Sequence, residues 1–217
     1  MTKTELFITI ICFALILGIP QYGVIGAFII VFAYIRRSKE RKLLLYSIGF
    51  KKPKNWVKTI ALTLAIGIAI ELFAETIFNP LAEKITNSTI DLTEVDFKDS
   101  IFMYFLWVII GFVLGGFLEE ILFRGFLLTR VSKLFSKIKT GNFVGLISTS
   151  LIFGLCHLYQ GWSGVLSTGF VGLLLGIIFL LSRKNLWYSI LTHGFINLVS
   201  ITILYLGYYE RLKMLFF

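Results

Sequence analysis

Apolar residues in this chain come in long blocks that ignore both the period of a surface helix and the alternation of a half-buried strand. Residues 6–35 hold no charged side chain across 30 positions, interrupted by Gly18-Ile19-Pro20-Gln21. About 20 apolar residues carry a helix across a ~30 Å hydrocarbon layer, so this block predicts one long kinked helix or two shorter ones. A second run covers roughly 56–78, and a third starts at 101 and continues helical to about 128. From Thr140 to Ser182 there are 43 residues without a formal charge, too many for one crossing, and Gln160-Gly161-Trp162-Ser163-Gly164 supplies the turn between two spans. A last span of about 186–207 precedes the tail Glu210-Arg211-Leu212-Lys213.

The charges between these blocks alternate in sign. Arg36 to Lys58 carries nine Lys or Arg against the single acid Glu40, and Arg130, Lys133, Lys137 and Lys139 form a second basic loop. Arg183-Lys184 forms a third. By the positive-inside rule all three face the cytoplasm, and the acidic stretch Asn79–Ser100 faces outward with the C-terminal tail. Leu43-Leu44-Leu45-Tyr46, with Ile48 and Phe50, is expected to lie along the membrane surface or to anchor its loop in the bundle. Composition agrees: 57% hydrophobic and 15% charged over 217 residues, against roughly 45–50% and 25% in soluble domains. The net charge of +9 sits in loops between apolar runs, which argues for a lipid surface and against nucleic acid. The N-terminal run lacks a small-residue cleavage site and is expected to be retained. Cys12 and Cys156 lie in separate apolar segments without a metal-binding or disulfide spacing. The expected fold is all-α, a polytopic integral membrane bundle of six to seven main spans. It forms one transmembrane domain over 1–217, whose motif-bearing core is about 101–207.

Ionisable groups inside a span cost about 2.5–3.5 kcal/mol each on insertion scales, so those present are paired, face a cavity or act. Three clusters stand out: Glu119-Glu120-Ile121-Leu122-Phe123-Arg124, then Phe153-Gly154-Leu155-Cys156-His157, then His193-Gly194-Phe195-Ile196-Asn197. Glu120 and Arg124 have the spacing and order of an intrahelical ion pair. Glu119, turned ~100° away, is left freer to act as a base; an inter-helix ion-pair network that only fixes packing is the alternative. His193 and Asn197 share a helix face. Depths counted at ~1.5 Å per residue from the basic ends place Glu119, His157, His193 and Asn197 in one layer. Cys156 and His157, adjacent on a helix, point apart and do not make a thiol–imidazole pair. Gly111 with Gly115, and Gly172 with Gly176, have the spacing of close helix crossings, and Gly116 adds to the first. Glu71 and Glu75 are expected at the outer membrane interface, with a place along a substrate path as the alternative.

The motifs E-E-x-x-x-R, F-x-x-x-H and H-x-x-x-N, in this order on successive apolar segments over about 101–200, resemble the CPBP family. These are the CAAX-processing and bacteriocin-processing intramembrane endopeptidases, also called the Abi family. The resemblance implies proteolysis within the membrane: Glu119 and His157 activate a water, His193 and Asn197 stabilise the oxyanion, Glu120 and Arg124 hold the helix, and Phe153 packs. It leaves a metal form open, in which Glu119, His157 and His193 hold zinc; the metal-free glutamate form is favoured. Eukaryotic relatives trim three residues after a prenylated cysteine. A chain this short, without targeting extras, is expected in a bacterial cell membrane, acting on a peptide or membrane-protein substrate. Peptide, pheromone or bacteriocin processing, or self-immunity, would be its role. The alternatives are a non-catalytic scaffold regulating a partner protein and a small transporter. No residue points to an oligomeric state.

Overall fold

The computed structural model describes residues 1–19, 22–97, 100–137 and 140–215. Pro20 and Gln21 of the first break, and Lys98, Asp99 and Lys139 of the loop charges, lie outside them. The described residues contain helices and no strand. Helices α1 (Lys3–Gly18) and α2 (Gly23–Arg37) divide the first apolar block, which is therefore two helices. At 16 and 15 residues they reach about 24 and 22 Å, short of a full crossing. They pack closely: a Cβ on Gly23 would lie 2.0 Å from the Leu15 carbonyl oxygen, so only glycine fits there. The surface helix α3 (Arg41–Ser47) follows. Its loop is anchored by Ile48, fully buried, and by Phe50, whose ring meets Phe117 and Trp187.

Helices α4 (Trp56–Thr86), α5 (Ile101–Leu134) and α8 (Leu186–Tyr205), together with the segment Leu158–Leu181, are long and apolar enough to cross a membrane. Helix α6 (Gly141–Leu155) is shorter and equally apolar, and α7 spans Gly161–Leu181. Large side chains such as Val57, Ile109 and Leu181 stand exposed around the outside. An apolar exterior of this extent belongs against lipid: the chain is an all-α, multi-pass membrane protein. A short helix α9 (Tyr209–Lys213) ends the described chain, with Lys213 paired to Glu83 at 2.8 Å.

Two helices run further than their charge patterns predict. Helix α4 does not stop near 78, because the backbone widens into a π-helical turn at Ala74–Phe78 just before Pro80. The wider turn accommodates the proline ring against the preceding backbone. Helix α5 continues through the basic cluster to Leu134. Arg130, expected in a loop, is buried there, pairs with Glu5 at 2.6 Å and lies over the Phe126 ring. Glu5 also completes a capping box with Thr2 at the start of α1. The start of α1 therefore lies at the basic face of the bundle, beside the end of α5.

The core surrounds the second half of α5, where every residue from Ile121 to Leu128 is buried, against Ile16, Val31, Ile48, Phe179 and Leu186. This rigid axis carries the polar motifs.

Candidate active site

Helix α5 is wound as π-helix over Gly111–Glu119 and again over Ile121–Leu128. Such winding is rare and recurs at functional sites. Glu120, between the two stretches, is fully buried, and Arg124 is 2% exposed. Arg124 Nη1 donates to Glu120 Oε1 at 2.5 Å and Nη2 donates to the Gly172 carbonyl of α7 at 2.9 Å. The guanidinium also stacks on the Phe153 ring, 4.5 Å from its centroid. A bare Cα at Gly172 makes this possible, since a Cβ would lie 2.9 Å from Phe153 Cδ1. One arginine thus ties α5 to α6 and α7.

From α8, His193 Nδ1 meets Glu120 Oε1 at 2.9 Å. That oxygen also receives Arg124, so Nδ1 is the donor. His157 lies just beyond the end of α6, with Nδ1 2.9 Å from the carbonyl oxygen of Phe153. A carbonyl only accepts, so this Nδ1 also carries its hydrogen. With both rings neutral, each Nε2 is left with a lone pair. His193 can donate from Nε2 only when doubly protonated, with its bond to Glu120 retained. The hydrogen-bond partners thus limit the roles open to each imidazole.

Asn197 Nδ2 donates to the Gly111 carbonyl at 2.8 Å, which leaves its second N–H unused by that bond. Helix α8 crosses α5 at the Gly111/Gly115/Gly116 spacing. A Cβ on Gly115 would lie 2.4 Å from Asn197 Nδ2 and 3.4 Å from His193 Nε2. Gly115→Ala therefore displaces Asn197. Overpacking of this kind costs about 1–3 kcal/mol, and we expect turnover in a peptide-cleavage assay to fall at least tenfold. Gly169→Ala, which meets only ordinary contacts of 3.6 Å and beyond, should leave turnover near that of the wild type.

Phe153, His157, His193 and Asn197 line one cavity of about 160 Å³. Glu71 and Glu75 of α4 line it as well. They are 5% and 3% exposed, so they sit inside the bundle and not at the membrane interface where the sequence places them. The cause is the extra length of α4, which puts both acids well before its end. Glu71 shares the cavity wall with Ser200 and Glu75. Asn79 Nδ2 donates to Glu75 Oε2 at 3.3 Å, and Asn79 Oδ1 accepts from Ser167 Oγ at 2.5 Å. Ile90, Leu92 and Tyr209 close the cavity on the side of the acidic loop.

Glu119 is half-buried and does not line this cavity. Its side chain makes no hydrogen bond or ion pair among the described residues, yet it lies close enough to act electrostatically on Arg124, Cys156 and Tyr159. The last two flank His157 in sequence. Cys156 is a buried free thiol with no hydrogen bond to His157 among the described residues. No three His, Cys, Asp or Glu side chains gather closely enough to hold one metal ion among the described residues. Glu119, His157 and His193 are not gathered into one such group.

Residues 101–199 match the family model described as type II CAAX prenyl endopeptidase Rce1-like. No curated protein and no solved structure matches the chain.

Proposed function

The Rce1-like domain of the CPBP family at residues 101–199 supports a CAAX-type intramembrane protease, and on that premise we propose that the chain hydrolyses peptide bonds of membrane-associated peptides or proteins. Glu119, with His157 through Nε2, takes a proton from a water as its oxygen attacks the scissile carbonyl carbon. The free N–H of Asn197 and the doubly protonated form of His193 donate to the resulting oxyanion. Collapse breaks the C–N bond, and the leaving amine takes up the proton. Glu120 and Arg124 position His193, and Phe153 supports both imidazoles by packing. The role proposed in the cell is processing of a peptide, pheromone or bacteriocin precursor, or self-immunity, by a bacterial membrane enzyme; this step is family analogy.

What carries the reading is the convergence of His157, His193 and Asn197, from two separate segments, on one cavity beside a buried Glu120–Arg124 pair. The test is cleavage of a panel of membrane-anchored reporter peptides by wild type, His157→Ala and His193→Ala in membranes at matched expression. Wild-type cleavage lost in both variants supports the protease. A panel cut equally by all three removes the proposal.

A further inference from the structure

A second cavity lies away from this site, at the basic face where α1 begins and α5 ends. It is a basin of about 760 Å³. Arg130, 4% exposed, and Ser132, 6% exposed, form part of its wall. Arg130 uses one guanidinium edge on Glu5, Thr129 and Ser47. Its Nε, and the hydroxyl of Ser132, have no hydrogen-bond partner among the described residues. Buried donors of this kind are normally satisfied.

Lys133 and Lys184 stand in the same basin, and neither forms an ion pair among the described residues. Lys184 is held there by a left-handed backbone, with φ of 58° at Arg183 and 57° at Lys184. Hydrogen bonds from their amides to the Leu180 and Phe179 carbonyls fix that turn. Burial, and then the neighbouring Lys51 charge, push the Lys184 ammonium below the usual lysine range, the condition an incoming anion relieves. The acids present are Glu5, already engaged with Arg130, and Glu40, exposed at the rim. Leu43, 62% exposed, gives the rim an apolar edge.

We propose that this basin binds a phosphate-type anion, the headgroup phosphate of an anionic phospholipid on the basic side of the membrane. A guanidinium, two ammonium groups and several hydroxyls form a donor set suited to phosphate oxygens. Basic groups at this level of a membrane protein meet the leaflet in which anionic lipids concentrate. The apolar edge at Leu43 lies where acyl chains would leave the headgroup. The proposal stands independently of proteolysis, because none of these residues lines the candidate active site.

The test uses the full chain in neutral detergent, with its unfolding midpoint read against added short-chain phosphatidylglycerol, phosphatidylcholine of the same chain length, or inorganic phosphate. Phosphatidylglycerol should raise the midpoint in a saturable way and phosphatidylcholine should not. Lys133→Ala/Lys184→Ala should raise the concentration needed at least tenfold. Lys184→Gln alone, at a half-buried position outside any ion pair, should weaken binding severalfold if the double variant unfolds early. A response to inorganic phosphate matching that to phosphatidylglycerol keeps the anion site and makes free phosphate its source. Equal responses to the two lipids with none to phosphate, or a lysine variant responding as the wild type does, overturn the proposal.

Discussion

Glu119→Gln should abolish most cleavage, by about 10²–10⁴-fold, the range over which a positioned acid–base group contributes, while leaving the unfolding midpoint unchanged. The second half of this expectation follows from isolation. The Glu119 side chain is half-buried and makes no hydrogen bond or ion pair among the described residues, so an amide of the same shape removes a charge without stranding a partner. The first half follows from its surroundings: it acts on Cys156 and Tyr159, on either side of His157, and is the motif carboxylate in no ion pair among the described residues. A rival base is present in the same structure, since Glu71 and Glu75 line the cavity and Glu119 does not. Glu71→Gln and Glu75→Gln therefore belong in the same assay. Cleavage lost in Glu119→Gln and retained in the other two assigns the base to α5. Retention in Glu119→Gln with loss in Glu71→Gln moves it to α4 and refutes the mechanism proposed above.

Much of this arrangement is legible in the sequence because membrane burial makes each polar residue informative. The 43-residue uncharged run divides where Gln160-Gly161 predicts, and Glu120 bonds Arg124 as the i,i+4 spacing requires. The Gly111/Gly115 spacing marks the crossing of α5 by α8. The polar features that sequence misses depend on where helices end and what lies across from them. The acidic stretch from Asn79 reads as loop; the π-helical turn at Ala74–Phe78 lets α4 continue through Pro80 and draws Glu71 and Glu75 inward. Two carboxylates four apart on an apolar helix were the signal available for them, and it favours interface and cavity alike. Arg130 reads as loop charge because its partner, Glu5, is 125 positions away. His193 sharing a face with Asn197 is visible from spacing, whereas its bond to Glu120 is a tertiary contact that fixes which ring nitrogen faces the cavity.

Arg124→Met should be among the most destabilising single substitutions in the chain, costing about 3–5 kcal/mol, the usual loss when one member of a buried ion pair is removed. Glu120 is fully buried, one of its oxygens serves both Arg124 and His193, and the other has no partner among the described residues. Without the guanidinium its charge is answered by His193 alone. The Gly172 carbonyl loses its side-chain donor and the Phe153 ring its stacked cation. Glu120→Gln should also destabilise, since it leaves Arg124 charged and buried at 2% exposure. If the pair is the energetic unit, Glu120→Gln/Arg124→Met should be more stable than the sum of the two losses predicts, with a coupling of about 0.5–3 kcal/mol. Unfolding midpoints of the four proteins in one detergent measure this directly. Strict additivity would mean that Arg124 acts through Gly172 and Phe153 and not through Glu120, and that His193 is positioned without help from the pair.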